Sequence, residues 1–105
     1  MNVEFTGFDW DEGNRGHCGK HGLTEEEIET FFRQDNLLIS ADSRYLGQEE
    51  RYLAVGRART GRPMLAVFTM RVVDESVLLR PISARYMHER EARRYEQEST
   101  KVQDR

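Results

Sequence analysis

The sequence predicts a single α+β domain. Three observations carry that reading: a well-capped amphipathic helix in the first third, four apolar-rich segments joined by polar turns in the middle, and a charged, weakly apolar helix near the end. With 105 residues and 37% hydrophobic content the chain can build one modest core. Residues 1–98 are assigned to that domain. Residues 99–105 show no periodicity and are expected to form a disordered tail. No internal repeat or low-complexity segment interrupts it.

Each element has its own local cause. Val3, Phe5, Phe8 and Trp10 mark an opening strand broken at Gly7. A short helix follows, capped by Asp9 or Asp11. Gly13, Gly16 and Gly19 make it a weak helix former, so packing must hold it. Lys20-His21-Gly22 ends it, with basic side chains in the last turn and glycine where a left-handed stop costs least. The second helix, at about 24–33, starts on a Thr24/Glu27 capping box with Leu23 stapled to Ile28. Ile28, Phe31 and Phe32 form its buried stripe, while Glu25, Glu26 and Glu29 face water.

Leu37 to Ser40, Tyr52 to Arg57, Met64 to Val73 and Val77 to Ala84 read as strands. A longer polar loop at 41–50 and tight turns at Thr60-Gly61 and Asp74-Glu75-Ser76 suit consecutive antiparallel hairpins. Apolar residues at both parities put Met64 to Met70 in the middle of the sheet. Pro81 cannot donate to a ladder, so the last strand is either an edge or bulged there. The final helix is expected at about 86–97. His88, Ala92 and Tyr95 share one face, and Glu89 and Arg93 form an i, i+4 pair.

Charge is unevenly distributed. Residues 1–50 carry 4 basic and 12 acidic side chains, whereas residues 51–105 carry 12 basic and 7 acidic, so a net charge of −3 divides into −8 and +5. Fourteen of the 16 basic residues are arginine, whose planar fork suits phosphate; a genome rich in G and C would produce the same skew. One cysteine excludes an intramolecular disulfide, no apolar run approaches the ~18 residues of a membrane span, and the start lacks a secretory pattern. A cytoplasmic location is expected. His17, Cys18 and His21 have no second cluster to complete a metal site, and neither a phosphate-cradling loop nor a nucleophile elbow is present. No metal and no cofactor are expected.

Cationic and proton-transferring side chains remain: Lys20 and His21 at a helix end, Arg51 and Arg57 bracketing a strand, Arg80 and Arg85 on the last strand. Metal-free RNA cleavage needs such groups, because the ribose 2′-hydroxyl is the nucleophile and the protein need only supply a base, a proton donor and positive charge. Ordinary surface charge is the competing explanation.

Phe8-Asp9-Trp10-Asp11-Glu12-Gly13-Asn14-Arg15, Lys20-His21-Gly22-Leu23 and Ile28-Glu29-Thr30-Phe31-Phe32 together resemble the N-terminal signature of the BrnT family, toxins of type II toxin-antitoxin pairs. Glu50 to Arg57, Gly61-Arg62-Pro63, Phe68-Thr69-Met70-Arg71 and Arg80 to His88 resemble family segments in the same order, so the likeness covers about residues 5–96. The resemblance implies a RelE-like fold: two N-terminal helices after a first strand, an antiparallel sheet and a C-terminal helix. It further implies an endoribonuclease that degrades RNA and inhibits translation.

On that basis Lys20 and His21 are expected to transfer protons. Arg57, Arg80 and Arg85 are expected to bind the scissile phosphate, with Glu50 a second candidate base and Arg51, Arg71 and His88 further RNA contacts. A ribbon-helix-helix antitoxin is the implied partner, in a 2:2 complex that binds operator DNA through the antitoxin. A poorly apolar last helix and a small domain also favour burial in a complex. The alternative is a non-catalytic module that binds nucleic acid or protein.

Overall fold

A computed structural model describes residues 4–42 and 49–103. Val3 of the expected opening strand, most of the polar loop at 41–50 and residues 104–105 lie outside the described residues. In chain order the described elements are β1 (Gly7–Phe8), α1 (Glu12–Gly19), α2 (Glu25–Phe32), β2 (Leu38–Ala41), β3 (Tyr52–Arg57), β4 (Pro63–Val73), β5 (Ser76–Tyr86) and α3 (Glu89–Gln103). The α+β class and the order of elements agree with the sequence reading.

Local signals explain most of these boundaries. Asp11 caps α1 and exchanges hydrogen bonds with Asn14. Thr24 and Glu27 form the expected capping box of α2, which buries Ile28, Phe31 and Phe32. Gly22 adopts φ +84° just after α1, a conformation in which a side chain would strain the backbone. Asp74 and Glu75 make the β4–β5 turn with positive φ at both positions, the geometry of a tight hairpin.

The sheet order is β1-β5-β4-β3-β2. From β2 to β5 it is antiparallel, as expected, but β1 pairs parallel with β5 through Gly7↔Leu78 and Phe8↔Leu79. Gly7 therefore belongs to the first strand and does not break it.

β4 is central and covered on both faces. Met64, Ala66 and Phe68 join Ile28, Phe31, Phe32 and Cys18 in one core, while Leu65 and Val67 join Val55, Met87 and Ala92 in another. Helices α1 and α2 thus pack on one face and α3 on the other. That division accounts for the apolar residues at both parities of β4.

Pro81 does mark a bulge. Val67 pairs with Ser83 and Phe68 with Pro81, leaving Ile82 as the extra residue. The consequence for orientation is large. Arg80 and Arg85 are five residues apart and would face opposite sides of a regular strand, because side chains alternate. The extra residue restores parity, so Arg85 lies opposite Leu65 and Arg80 opposite Thr69 on one face.

The last helix departs from expectation. It begins at Glu89 and its backbone continues to Gln103, past the expected end at 97. Ala92 is buried and Tyr95 packs against the second core, whereas His88 is exposed. Glu89 accepts hydrogen bonds from Arg57 on β3, and Arg93, the expected i, i+4 partner, acts on it only as a longer-range charge. A cross-sheet arginine with two donors outcompetes a neighbour held only by helical spacing.

Candidate functional site

The α3 face of the sheet carries a concentration of arginine. Alternation along β3 puts Arg57, and Arg51 just before the strand, on the side of Leu53 and Val55, which belong to the α3 core. Along β4 the same side takes Thr69 and Arg71, and along β5 it takes Arg80 and Arg85. Five of the residues singled out in the sequence therefore share one face.

At one end of this face α3 supplies carboxylates. Arg85 makes a two-pronged contact with Glu91, Nη1 donating to Oε1 at 3.0 Å and Nη2 to Oε2 at 2.7 Å. Arg57 donates to both oxygens of Glu89 at 2.9 and 3.2 Å, to Glu96 at 2.9 Å, and to the Gly61 carbonyl at 3.0 Å. Hydrogen bonding from Arg57 holds the Glu89 carboxyl below its ordinary range, and hydrogen bonding from Arg85 does the same for Glu91. The guanidinium groups of Arg57 and Arg85 are held correspondingly more firmly protonated. Each carboxylate fills a fork that would accept two phosphate oxygens equally well.

At the other end the partners come from the start of the chain. Arg80 Nη2 donates to Asp11 Oδ1 at 3.2 Å, and its Nη1 lies 2.9 Å from Asp11 Oδ2 and 3.5 Å from Asp9 Oδ2. That Nη1 is buried without a well-aligned hydrogen bond, so its contacts are ionic more than directional. Hydrogen bonding from Arg80 lowers the Asp11 carboxyl. Arg71 sits at longer range, 3.6 Å from Asp9 and 3.5 Å from Glu49. With only 13% of its side chain exposed, Arg80 is the least accessible of the set and ties β5 to the entry of α1.

Other sequence-selected residues lie elsewhere. Lys20 and His21 are exposed in the connection between α1 and α2, on the layer opposite α3, and no hydrogen bond or ion pair joins them to the sheet arginines. Glu50 is exposed. Its carboxylate accepts from the Tyr52 hydroxyl at 2.7 Å, and its backbone carbonyl accepts from Thr69 at 2.8 Å. His88, exposed at the entry to α3, is the titratable ring nearest in sequence to Arg85, and its charge acts on Glu91.

Cys18 points into the core, where burial pushes its thiol up to about 11; it does not converge with the exposed His17 and His21. A groove of ≈ 920 Å³, lined in part by Phe5, Phe8, Phe32, Leu37 and Phe68, opens on the α1/α2 side, away from the arginine face.

Sequence reasoning missed Glu89, Glu91 and Glu96, and also the grip of Asp9 and Asp11 on Arg80. A signal for the first existed: Glu89 and Glu96 are seven residues apart, so they fall on one flank of a helix, beside the Ala92 and Tyr95 that face the core.

The fold and this face define a small α+β domain that gathers arginine side chains on one side of its sheet. Over residues 10–91 the chain matches the family model described as ribonuclease toxin, BrnT, of type II toxin-antitoxin system, and it belongs to that family. A comparison with curated proteins finds no match. Among the described residues no helix is long and apolar enough to cross a membrane.

Proposed function

We propose that the chain is a metal-independent endoribonuclease of low sequence specificity that inhibits translation in the cytoplasm. The observation that carries this reading is the pair of guanidinium forks, Arg57 and Arg85, displayed on one sheet face and saturated by carboxylates that a phosphodiester can replace. In the reaction the ribose 2′-oxygen bonds to phosphorus as the bond to the 5′-oxygen breaks. The 2′-hydroxyl proton passes to a base, and a proton reaches the departing 5′-oxygen. The products are a 2′,3′-cyclic phosphate and a 5′-hydroxyl. Arg57 and Arg85 stabilise the charge that develops on the phosphorane, with Arg71 and Arg51 extending the track along the strand.

Lys20, His21 and Glu50 stay candidates for proton transfer, but the layer arrangement favours His88, because a base must lie within hydrogen-bond reach of the proton it removes. Arg80 acts chiefly by fixing β5 against α1. A ribbon-helix-helix antitoxin, in a 2:2 complex that meets operator DNA through the antitoxin, completes the reading.

A second reading has one observation in its favour: the carboxylates engaging Arg57 and Arg85 are held ionised and cannot donate protons, as expected of a module that binds without cutting. One experiment separates the two. Purified protein is incubated with single-stranded RNA in EDTA, alongside Arg85→Ala and His88→Ala. Cleavage by the wild type that is lost in both variants, with circular dichroism unchanged, supports the enzyme. RNA bound and never cut supports the module, and cleavage that disappears on chelation excludes the metal-free mechanism.

A further inference from the structure

The positive charge most accessible to RNA is not on the sheet. Arg57 and Arg85 are matched by three glutamates of α3, and Arg80 by two aspartates. On α3 itself the charges are sorted by direction. Ala92 and Tyr95 face the core, while Glu89, Glu91 and Glu96 turn toward the sheet arginines. Arg90, Arg93 and Arg94, at i, i+3 and i+4, share the remaining outward side. All three are exposed and make no salt bridge among the described residues, and the charges of Arg93 and Arg94 reach Glu89 and Glu91 only at longer range.

The β3–β4 turn continues this surface. Arg57 donates to the Gly61 carbonyl and to Glu89 with the same guanidinium nitrogen, which fastens the turn to the first turn of α3. Arg59, exposed beside that junction, has no ion-pair partner among the described residues, whereas Arg62 lies with its Cζ 3.6 Å above the Tyr86 ring on the α2 side of the sheet, where its charge acts on Glu27.

We infer that Arg90, Arg93 and Arg94 of α3, continued by Arg59 of the β3–β4 turn, form the docking surface for the phosphate backbone of single-stranded RNA. This rests on the ribonuclease reading above and adds to it the place where the strand is held before its phosphate reaches Arg57 and Arg85. The inward glutamates then have a structural role, since they lock α3 in the orientation that turns its arginines outward.

RNA fits this patch better than a protein does. Protein interfaces have an apolar centre depleted of charge, and the large exposed apolar side chains, Val72 and Val73, lie at the far tip of the β4–β5 hairpin. Four guanidinium groups on a surface without apolar relief suit a polyanion.

The test uses the full chain and a 2′-O-methyl RNA that cannot be cut, so binding is read apart from cleavage. Affinity is measured against salt concentration for the wild type, for Arg90→Ala/Arg93→Ala/Arg94→Ala, and for the corresponding triple Arg→Lys variant. Three lost phosphate contacts should reduce the slope of log affinity against log salt by about two and weaken binding at least roughly tenfold at moderate salt, and lysine should restore most of the slope. Alanine favours helix, so circular dichroism should be unchanged.

Wild-type affinity and slope in the alanine variant would overturn the inference, whether or not the wild type cuts ordinary RNA. The same result accompanied by loss of antitoxin binding would assign the surface to the protein partner and overturn it equally. A wild type that binds through these arginines but cuts nothing leaves the docking surface standing and defeats only the ribonuclease reading.

Discussion

Asn14 is the side chain on which the junction between α1, β1 and β5 depends most. It is 4% exposed and uses its whole amide: Nδ2 donates to the Asp9 carbonyl at 2.9 Å and to the Pro81 carbonyl at 2.8 Å, and Oδ1 accepts from the Asp11 N–H at 2.7 Å. The Pro81 carbonyl sits at the bulge that sets the direction of Arg80, and Asp9 and Asp11 hold that arginine.

Replacing Asn14 by alanine orphans the buried Pro81 carbonyl, at about 1–3 kcal/mol, and removes half of the α1 capping box, at about 0.5–1 kcal/mol. Water can reach the remaining groups. A loss of about 2–4 kcal/mol is therefore expected, which for a domain of this size lowers Tm by roughly 10–30 °C. Urea unfolding followed by circular dichroism measures it, with the m-value unchanged if the folded state is otherwise intact. Asn14→Asp should be worse at neutral pH, because a carboxylate then faces two carbonyl oxygens, and should recover partly in acid. A loss below about 1 kcal/mol for the alanine variant, or an aspartate variant as stable as the wild type, would refute this account of the junction.

Three further outcomes are expected. Glu91 and Glu89 have carboxyl groups lowered from an ordinary value of 4.5 by hydrogen bonds from Arg85 and Arg57, so their stabilisation is full above that value and fades as pH falls through the depressed one. The protection of the Ala92 and Tyr95 amides, taken relative to the intrinsic exchange rate at each pH, should fall as the solution is acidified through the depressed carboxyl range before that of β4 does, and simultaneous loss of protection in both would contradict it. Cys18, with its thiol pushed up to about 11, should resist a thiol reagent at mildly alkaline pH and react once urea unfolds the chain. At Gly56 an added Cβ would lie 2.5 Å from Leu37 Cδ2 and 3.4 Å from Phe31 Cε1, so Gly56→Ala should cost about 1–3 kcal/mol. Combining it with Leu37→Ala should recover part of that cost in a double-mutant cycle.

Where structure is determined locally, the sequence was legible. The Thr24/Glu27 box, the Ile28, Phe31 and Phe32 stripe, the Gly22 stop and the paired hairpins depend on residues within a few positions of one another. Pro81 also announced its bulge. What the proline could not reveal was the bulge's effect, that Arg80 and Arg85 recover a common face, since this requires the register with β4.

The opening strand was expected, but its parallel pairing was not legible for a related reason: the pairing partner of its two residues lies about seventy residues away. The candidate site divides along the same line. The arginines were visible by type and position, but their partners Glu89, Glu91, Glu96, Asp9 and Asp11 come from elements brought alongside only by tertiary packing. Lys20 and His21 drew attention as a local motif, and the fold sets them on the other layer. The extension of α3 beyond 97 shows how weakly composition alone specifies a helix end.

The central claim is that Arg57 and Arg85 exchange their glutamates for an RNA phosphate. The most direct measurement is to follow the side-chain Nε–H resonances of both arginines by NMR while a non-cleavable 2′-O-methyl RNA is titrated into the full chain. The account predicts that both resonances shift together and saturably, with Glu91 reporting release from Arg85. Resonances of Arg57 and Arg85 that stay fixed while RNA binds would contradict it.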